Sequence, residues 1–146
     1  MDKWLYRSSA ALAVVGLLVS IYMTIYKITD NNAMCLGSGD CATVNASRYA
    51  EVNGVPVAVV GILGYAAILG VLFMEKRGME YFKQNAPLLT FGLALTGFLF
   101  TLWLVYVEFA LIKAFCPFCV TSQVAMTLIF ILSVIRLVKQ PPYQEE

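Results

Sequence analysis

Four apolar stretches without a single charged residue limit what this chain can fold into. They cover residues 8–26, 55–74, 86–107 and 114–135 of the 146. Each is about 20 residues long, the length that a helix needs to cross the hydrocarbon core of a bilayer. Charged residues make up only 13% of the chain, against about a quarter in a soluble domain, so too little polar sequence remains to cover four such helices. The sequence therefore predicts an all-α integral membrane protein, a four-transmembrane-helix bundle.

Lysine and arginine are distributed unevenly between the two sides of the predicted membrane. Short cytoplasmic loops carry an excess of these residues. The side that holds both termini and the connection between the second and third stretches has Lys3, Arg7, Lys76, Arg77, Lys83, Arg136 and Lys139. The opposite side has Lys27, Arg48 and Lys113. We therefore expect a plasma (inner) membrane protein with both termini in the cytoplasm. The outer loop 28–54 and the connection Glu108–Lys113 are then extracytoplasmic.

No linker, repeat or low-complexity tract divides the sequence, so a single domain, 1–146, is expected. The outer loop is long compared with the usual helix–helix connection of about 2–8 residues. Its part from Ala42 to Val52 could form a short surface helix, which Asn53-Gly54 would end. Pro56 fits the first turn of the second span, where a missing N–H costs little. The net charge of +1, without a basic cluster, gives no indication of nucleic-acid binding.

All four cysteines fall on the predicted outer side, where disulfides persist. Cys116-Pro117-Phe118-Cys119 opens the fourth span. The start of a helix offers unsatisfied N–H groups and the positive end of the helix dipole, which stabilise a thiolate and speed thiol–disulfide exchange. Cys35 and Cys41 lie in the outer loop, separated by five residues that include two glycines. This mobile spacing suits a disulfide that is presented to another protein.

The residues alone leave other uses of these cysteines open. They could form two structural disulfides, or one disulfide could join the loop to the fourth span. A Cys₄ zinc site fits poorly, because the spacing is irregular and no second ligand-rich element exists; no metal is expected.

Four motifs in order along the chain resemble those of the vitamin K epoxide reductase family. They are Cys35-x5-Cys41, Ser47-Arg48-Tyr49, Gly54-Val55-Pro56 and Cys116-Pro117-Phe118-Cys119. The resemblance covers essentially the whole chain, and the five-residue loop spacing is more similar to prokaryotic members than to vertebrate ones. It implies a four-helix bundle around a quinone (ubiquinone, menaquinone or a related one).

The resemblance also implies a role for each matching residue. Cys116 and Cys119 would be the redox-active pair beside the quinone ring, with Cys119 the nearer. Cys41 would be the sulfur that shuttles electrons to this pair, and Cys35 the sulfur that faces the partner protein. Ser47, six residues after Cys41, would cap the quinone site with a polar group.

The expected function is that of a quinone-dependent thiol–disulfide oxidoreductase, which forms disulfides in a secreted thioredoxin-fold partner. The chain has Ser122-Gln123-Val124 where vertebrate members have Thr-Tyr-Ala, so epoxide reduction is not expected to follow. It ends at Glu146 without a thioredoxin-like domain, so a separate extracytoplasmic partner is expected. Two alternatives remain: a relay that passes electrons outward, and a non-catalytic scaffold with structural disulfides.

Several residues near the predicted site have expected structural roles. Gln123, one turn after Cys119, and Glu108, at the outer edge of the third span, could each help proton movement. The favoured roles are an interhelical hydrogen bond for Gln123 and solvation at the membrane interface for Glu108. Aromatic residues near the outer interface are mostly expected in the interfacial belt, with a few available to line a quinone pocket; they are Tyr22, Tyr26, Tyr49, Trp103 and Tyr106.

Overall fold

Four long helices make up most of the described structure. The computed structural model describes residues 3–29, 48, 51–113 and 117–139. The helices are α1 (Lys3–Thr29), α2 (Val57–Lys76), α3 (Glu80–Tyr106) and α4 (Pro117–Lys139). All four are long and apolar enough to cross a membrane, which confirms the predicted fold class. Most of them continue beyond the charge-free stretches, because long charged side chains at helix ends can reach the polar interface.

The helices form a ring in which each packs against its neighbours along the chain. α1 packs against α2, α2 against α3 and α3 against α4, and the ring closes where α4 packs against α1. A tight turn joins α2 to α3: Gly78 adopts φ 79°, and its N–H donates to the Glu75 carbonyl at 3.1 Å. So short a turn makes the two helices antiparallel. We call this end of the bundle the turn end, and the opposite end, which carries a β-hairpin, the hairpin end.

Small residues line the buried face of α1 and let the other helices approach closely. They are Ser9, Ala13, Gly16 and Ser20. The ring of Tyr65 lies against Gly16, at a point where no side-chain carbon would fit. Tyr65 also belongs to the central core of the bundle, with Ile68, Leu72 and Ile129. The outer surface is apolar as well: Leu63 and Leu99, for example, are 65% and 58% exposed, as expected of lipid-facing positions.

A two-stranded β-hairpin leads from the outer loop into α2. β1 (Glu51–Val52) pairs antiparallel with β2 (Val55–Pro56). Asn53 and Gly54 turn the chain with φ of 52° and 84°, as a two-residue hairpin turn requires. The predicted surface helix is therefore wrong at Glu51–Val52, because Asn-Gly here reverses a hairpin instead of ending a helix. The rest of that helix lies outside the described residues, apart from Arg48.

The hairpin is attached to α1 by an ion pair. Lys27 Nζ, in the last turn of α1, lies 3.1 Å from Glu51 Oε1. A lysine in this position also interacts favourably with the negative end of the helix dipole. The ion pair therefore holds the last residues before α2 against the hairpin end of α1.

α3 does not end at Tyr106 but continues as a π-helical segment, Val107–Ile112. Lys113, with φ 54° and ψ 38°, ends this segment in the left-handed conformation. The connection expected over Glu108–Lys113 is therefore helical as far as Ile112. Val107 and Glu108 are buried side by side, so the segment extends the packed face of α3.

A buried ion pair joins α2 to α4 at the turn end. Arg136 Nη2 donates to Glu75 Oε1, and the side chains of Arg136 and Glu75 are only 3% and 6% exposed. Each residue occupies the last inward-facing position of its helix. A charge inside a membrane bundle is costly unless an opposite charge neutralises it. Here the charges of Glu75 and Arg136 neutralise each other.

Candidate functional site

Cys119 lies in the first turn of α4, at the hairpin end. The helix begins at Pro117, a residue that is common at the first helical position because its missing N–H costs little there. Backbone N–H groups in a first turn have no partner within the helix, and the helix dipole is positive there. Both features favour a thiolate. Of the five predicted site residues, Cys119 is described; Cys35, Cys41, Ser47 and Cys116 lie outside the described residues.

The side chain of Cys119 is half-buried in an apolar, largely aromatic cluster. We call it the Cys119 cluster; its other members are Tyr22, Met23, Tyr26, Ala58 and Phe118. The cluster brings together the last turns of α1, the first turn of α2 and the first turn of α4.

The centre of the Cys119 cluster is well shielded from the surroundings. Met23 and Tyr26 are 6% and 3% exposed, and the rings of Tyr22 and Phe118 lie 4.9 Å apart at 40°. Flat apolar walls beside a sulfur fit a planar quinone ring, because aromatic faces stack on such rings. Of the aromatic residues expected in the interfacial belt, Tyr22 and Tyr26 thus lie in the cluster, whereas Trp103 and Tyr106 are exposed.

A buried polar pair lies one helical turn further along α4. Gln123 Nε2 donates to Glu108 Oε2 over 3.3 Å, and the two residues are 8% and 3% exposed. The expected interhelical hydrogen bond of Gln123 is thereby confirmed. The expected solvation of Glu108 is wrong, since the π-helical segment packs this carboxyl group against α4.

Ser122, beside Gln123, is held from the opposite side of the helix. The Tyr65 hydroxyl group donates to the Ser122 carbonyl oxygen at 2.7 Å, and the two hydroxyl oxygens lie 3.1 Å apart. α2 therefore holds Ser122 while the end of α3 holds Gln123. The two contacts fix the position of α4 immediately beyond Cys119.

A groove runs between the end of α3 and the first half of α4. Its volume is about 320 Å³, and it is lined by Val105, Phe109, Val120, Gln123, Val124, Thr127 and Leu128. Phe109 and Val124 are about half exposed, so the groove opens toward the lipid. Gln123 is its one amide-bearing residue, and this side chain connects the groove to the buried Glu108 carboxyl group.

The partners of Gln123 and Tyr65 in the two polar contacts were not anticipated, although the spacing of residues contained a signal for one of them, Glu108. Pro87, Ala94 and Thr101 are buried positions of α3 at intervals of seven, and Glu108 comes seven residues later. Seven residues are two helical turns, so this spacing predicts an inward-facing Glu108. Nothing comparable marks the partner of Tyr65, because the sequence does not show which helix faces α2 at that level.

Comparison with known proteins agrees with this architecture. The model of the vitamin K epoxide reductase family matches residues 8–134. Thiol-disulfide oxidoreductase LTO1 of Arabidopsis thaliana is 29% identical over 123 residues, which are 81% of this chain and 33% of the plant protein. The chain thus spans about a third of the length of that curated relative. Since the family match takes in all four apolar helices, the chain belongs to the vitamin K epoxide reductase family of membrane oxidoreductases.

Proposed function

We propose that this protein oxidises the dithiol of an extracytoplasmic thioredoxin-fold partner and passes the electrons to a membrane quinone. The observation that carries the proposal is the position of Cys119. It lies in the first turn of α4, inside the apolar aromatic cluster at the hairpin end. Family membership and the name of the plant relative, a thiol-disulfide oxidoreductase, support the same chemistry.

The proposed reaction balances without another redox group. Oxidation of the Cys116–Cys119 dithiol forms one S–S bond and releases two electrons and two protons. Reduction of a quinone to a quinol consumes two of each. The quinone, whether ubiquinone, menaquinone or a related one, is thus a sufficient electron acceptor. The walls that Tyr22, Tyr26 and Phe118 form would exclude water from its ring, and Ser47 would supply a hydrogen bond to a quinone oxygen.

The loop cysteines complete the proposed route by thiol–disulfide exchange. The Cys116–Cys119 disulfide would oxidise the loop pair through a transient Cys41–Cys116 bridge, and the Cys35–Cys41 disulfide would then oxidise the partner. Each exchange transfers one disulfide and leaves the number of thiols unchanged. The loop returns to the bundle through the hairpin that Lys27 and Glu51 attach to α1, which supports a delivery point close to Cys119.

The proposed setting is a single domain, 1–146, in the plasma (inner) membrane, with both termini in the cytoplasm. The four cysteines would then lie on the extracytoplasmic side, where the partner is found. The uneven distribution of lysine and arginine supports this orientation.

Anaerobic mixing of the reduced protein with a soluble short-chain ubiquinone tests the proposal. We expect one equivalent of quinol to form for each two thiols lost. Cys119→Ala should abolish both changes, while Thr121→Ala, an exposed substitution in the same turn of α4, should leave them intact. Cys35→Ala should keep this single turnover but lose steady-state oxidation of a reduced thioredoxin-fold protein.

The same measurements separate the alternatives. Thiols that survive mixing with both ubiquinone and menaquinone analogues would refute quinone-dependent oxidation and favour structural disulfides. Net reduction of an oxidised thioredoxin-fold protein when quinol is supplied, with no oxidation in the reverse mixture, would show that electrons flow outward.

A further inference from the structure

The buried Glu108 carboxyl group has no role in the electron route proposed above. We propose that Glu108 holds and transfers the proton that accompanies quinone reduction at Cys119, and that Gln123 positions its carboxyl group for this task. The inference rests on the proposed function and adds to it a proton path, formed by residues of α4 and the π-helical segment.

The first argument is the environment of the carboxyl group. Glu108 is 3% exposed at the end of an apolar helix. A carboxylate inside a membrane is expensive, and such residues usually serve ion or proton movement.

The second argument is proximity to the reactive sulfur. Cys119 and Gln123 are four residues apart on α4, so they lie on the same face, about 6 Å apart along the helix axis. Gln123 Nε2 in turn contacts Glu108 Oε2 at 3.3 Å. A gap of one helical turn is of the size that one water molecule or a substrate oxygen bridges. Gln123 therefore links the Glu108 carboxyl group to the face of α4 that carries Cys119, one helical turn away.

The third argument is the backbone that carries Glu108. π-Helical turns are rare and often occur at functional sites. Here the π-helical segment covers Val107–Ile112 and packs Val107 and Glu108 inward as consecutive residues. A wider helical turn costs backbone hydrogen-bond geometry, so its presence at the buried Glu108 favours a role beyond packing.

The proposed proton movement balances over one turnover. As the Cys116–Cys119 disulfide forms, the Glu108 carboxylate accepts a proton that one thiol releases. It then gives this proton to an oxygen of the quinone that receives the two electrons. The second thiol proton completes the quinol, and Glu108 returns to its starting state.

The test compares the quinone step with a step that needs no quinone. The quinone step is the anaerobic single-turnover rate of quinol formation from a short-chain ubiquinone. The other step is the reduction of the oxidised protein by dithiothreitol. Glu108→Gln keeps the hydrogen bond to Gln123 but removes the group that can take up and release a proton. We expect it to slow the quinone step about 100-fold, at the lower end of general acid–base effects, and to leave the dithiothreitol step unchanged.

Controls separate proton transfer from structural support. Glu80→Gln, the same change at an exposed position of α3, should alter neither rate, and Glu108→Asp, which keeps an acid, should recover part of the quinone step. The solvent deuterium isotope effect on quinol formation should be larger than in the wild type for Glu108→Gln, because proton transfer then limits the rate. A purely structural role would leave this isotope effect as it is in the wild type.

Gln123→Leu provides an independent arm should Glu108→Gln fail to fold. It should slow the quinone step about tenfold without changing the dithiothreitol step. A quinone step within about threefold of the wild type, in whichever variants fold, overturns the role of Glu108. A wild type that reduces no quinone overturns the proposed function and this inference together, so the two failures are distinguishable.

Discussion

Two buried polar side chains near Cys119, Tyr65 and Gln123, find their partners on other helices. Tyr65 of α2 donates to Ser122 of α4, and Gln123 of α4 donates to Glu108. Both contacts fall within one turn of α4, directly after the turn that carries Cys119. An unsatisfied polar group is costly in an apolar interior, so these contacts also specify how α4 is rotated about its axis.

Tyr65→Phe tests how much the hydroxyl contact stabilises the bundle. The ring still fills the space beside Gly16, so we expect a loss of about 1 kcal/mol, the usual net contribution of one hydrogen bond. Tyr65→Ala also removes the ring and should cost about 3–5 kcal/mol. Thermal unfolding in detergent measures both, with Tyr81→Phe, at an exposed tyrosine, as the control. If the two Tyr65 variants lost the same stability, the ring would contribute nothing beyond the hydroxyl group, which would contradict this prediction.

At the scale of elements, close approach between helices depends on a few glycines. Gly16 of α1 meets the Tyr65 ring and Gly61 of α2 meets the Ser20 side chain, whereas a side-chain carbon added at Gly64 would meet nothing within 4 Å. The contact between α1 and α2 is therefore tight at two specific points. The same contact brings the ends of α1 and α2 together around Cys119.

Gly16→Ala should destabilise the protein by about 1–3 kcal/mol, because the added methyl group overpacks the Tyr65 ring. Gly64→Ala is the matched control and should be neutral or stabilising by up to about 1 kcal/mol, since alanine is the better helix former. Gly97→Ala should fall between them, because it meets the flexible end of Met126. Unfolding temperatures in one detergent rank the three variants; a Gly16→Ala protein as stable as Gly64→Ala would disprove the tight contact.

Much of the fold could be predicted from the sequence, because the length of the four stretches without charged residues is enough to predict four membrane helices. The helix ends were less predictable: Lys3 and Lys27 remain helical in α1 although they lie outside its charge-free stretch. The hairpin was missed because Asn53-Gly54 can end a helix or reverse two strands, and its short flanking sequences do not decide between them.

The sequence predicts where a site residue lies along its own helix. It does not predict which residues of other helices pack against that residue. Cys119 falls in the first turn of α4, as Cys-Pro-Phe-Cys predicts. Its neighbours Met23 and Tyr26 come from a helix nearly a hundred residues away in sequence, and only the closure of α1 against α4 brings them near. The identity of such neighbours depends on how the ring of helices is arranged.

The outer surface of the whole molecule is apolar, and pairs of buried polar side chains contact each other at several heights along the bundle. This distribution fits a lipid environment, and the expected orientation rests on the basic residues at the two ends. One side carries seven of them and the other three, Lys27, Arg48 and Lys113.

We expect the hairpin end to be accessible from outside the cell and the turn end to be inaccessible. Single cysteines at Val55 and Met79, in a variant without the native four, provide the test, since these side chains are 43% and 50% exposed. A membrane-impermeant maleimide should label Val55→Cys in intact cells, and Met79→Cys only after permeabilisation. The reverse pattern would invert the orientation and place the loop cysteines in the cytoplasm.

The ion pair between Glu75 and Arg136 gives the bundle unequal stiffness along its length. Removing one partner of a buried ion pair costs about 3–5 kcal/mol, whereas one hydrogen bond, such as Tyr65 to Ser122, contributes about 1 kcal/mol. Separation of α2 from α4 is therefore least favourable at the turn end. The two helices are therefore joined more strongly at the turn end than at the hairpin end, where Cys119 lies. We accordingly expect thermal motion to separate them more readily at the hairpin end, where the proposed quinone would enter and leave.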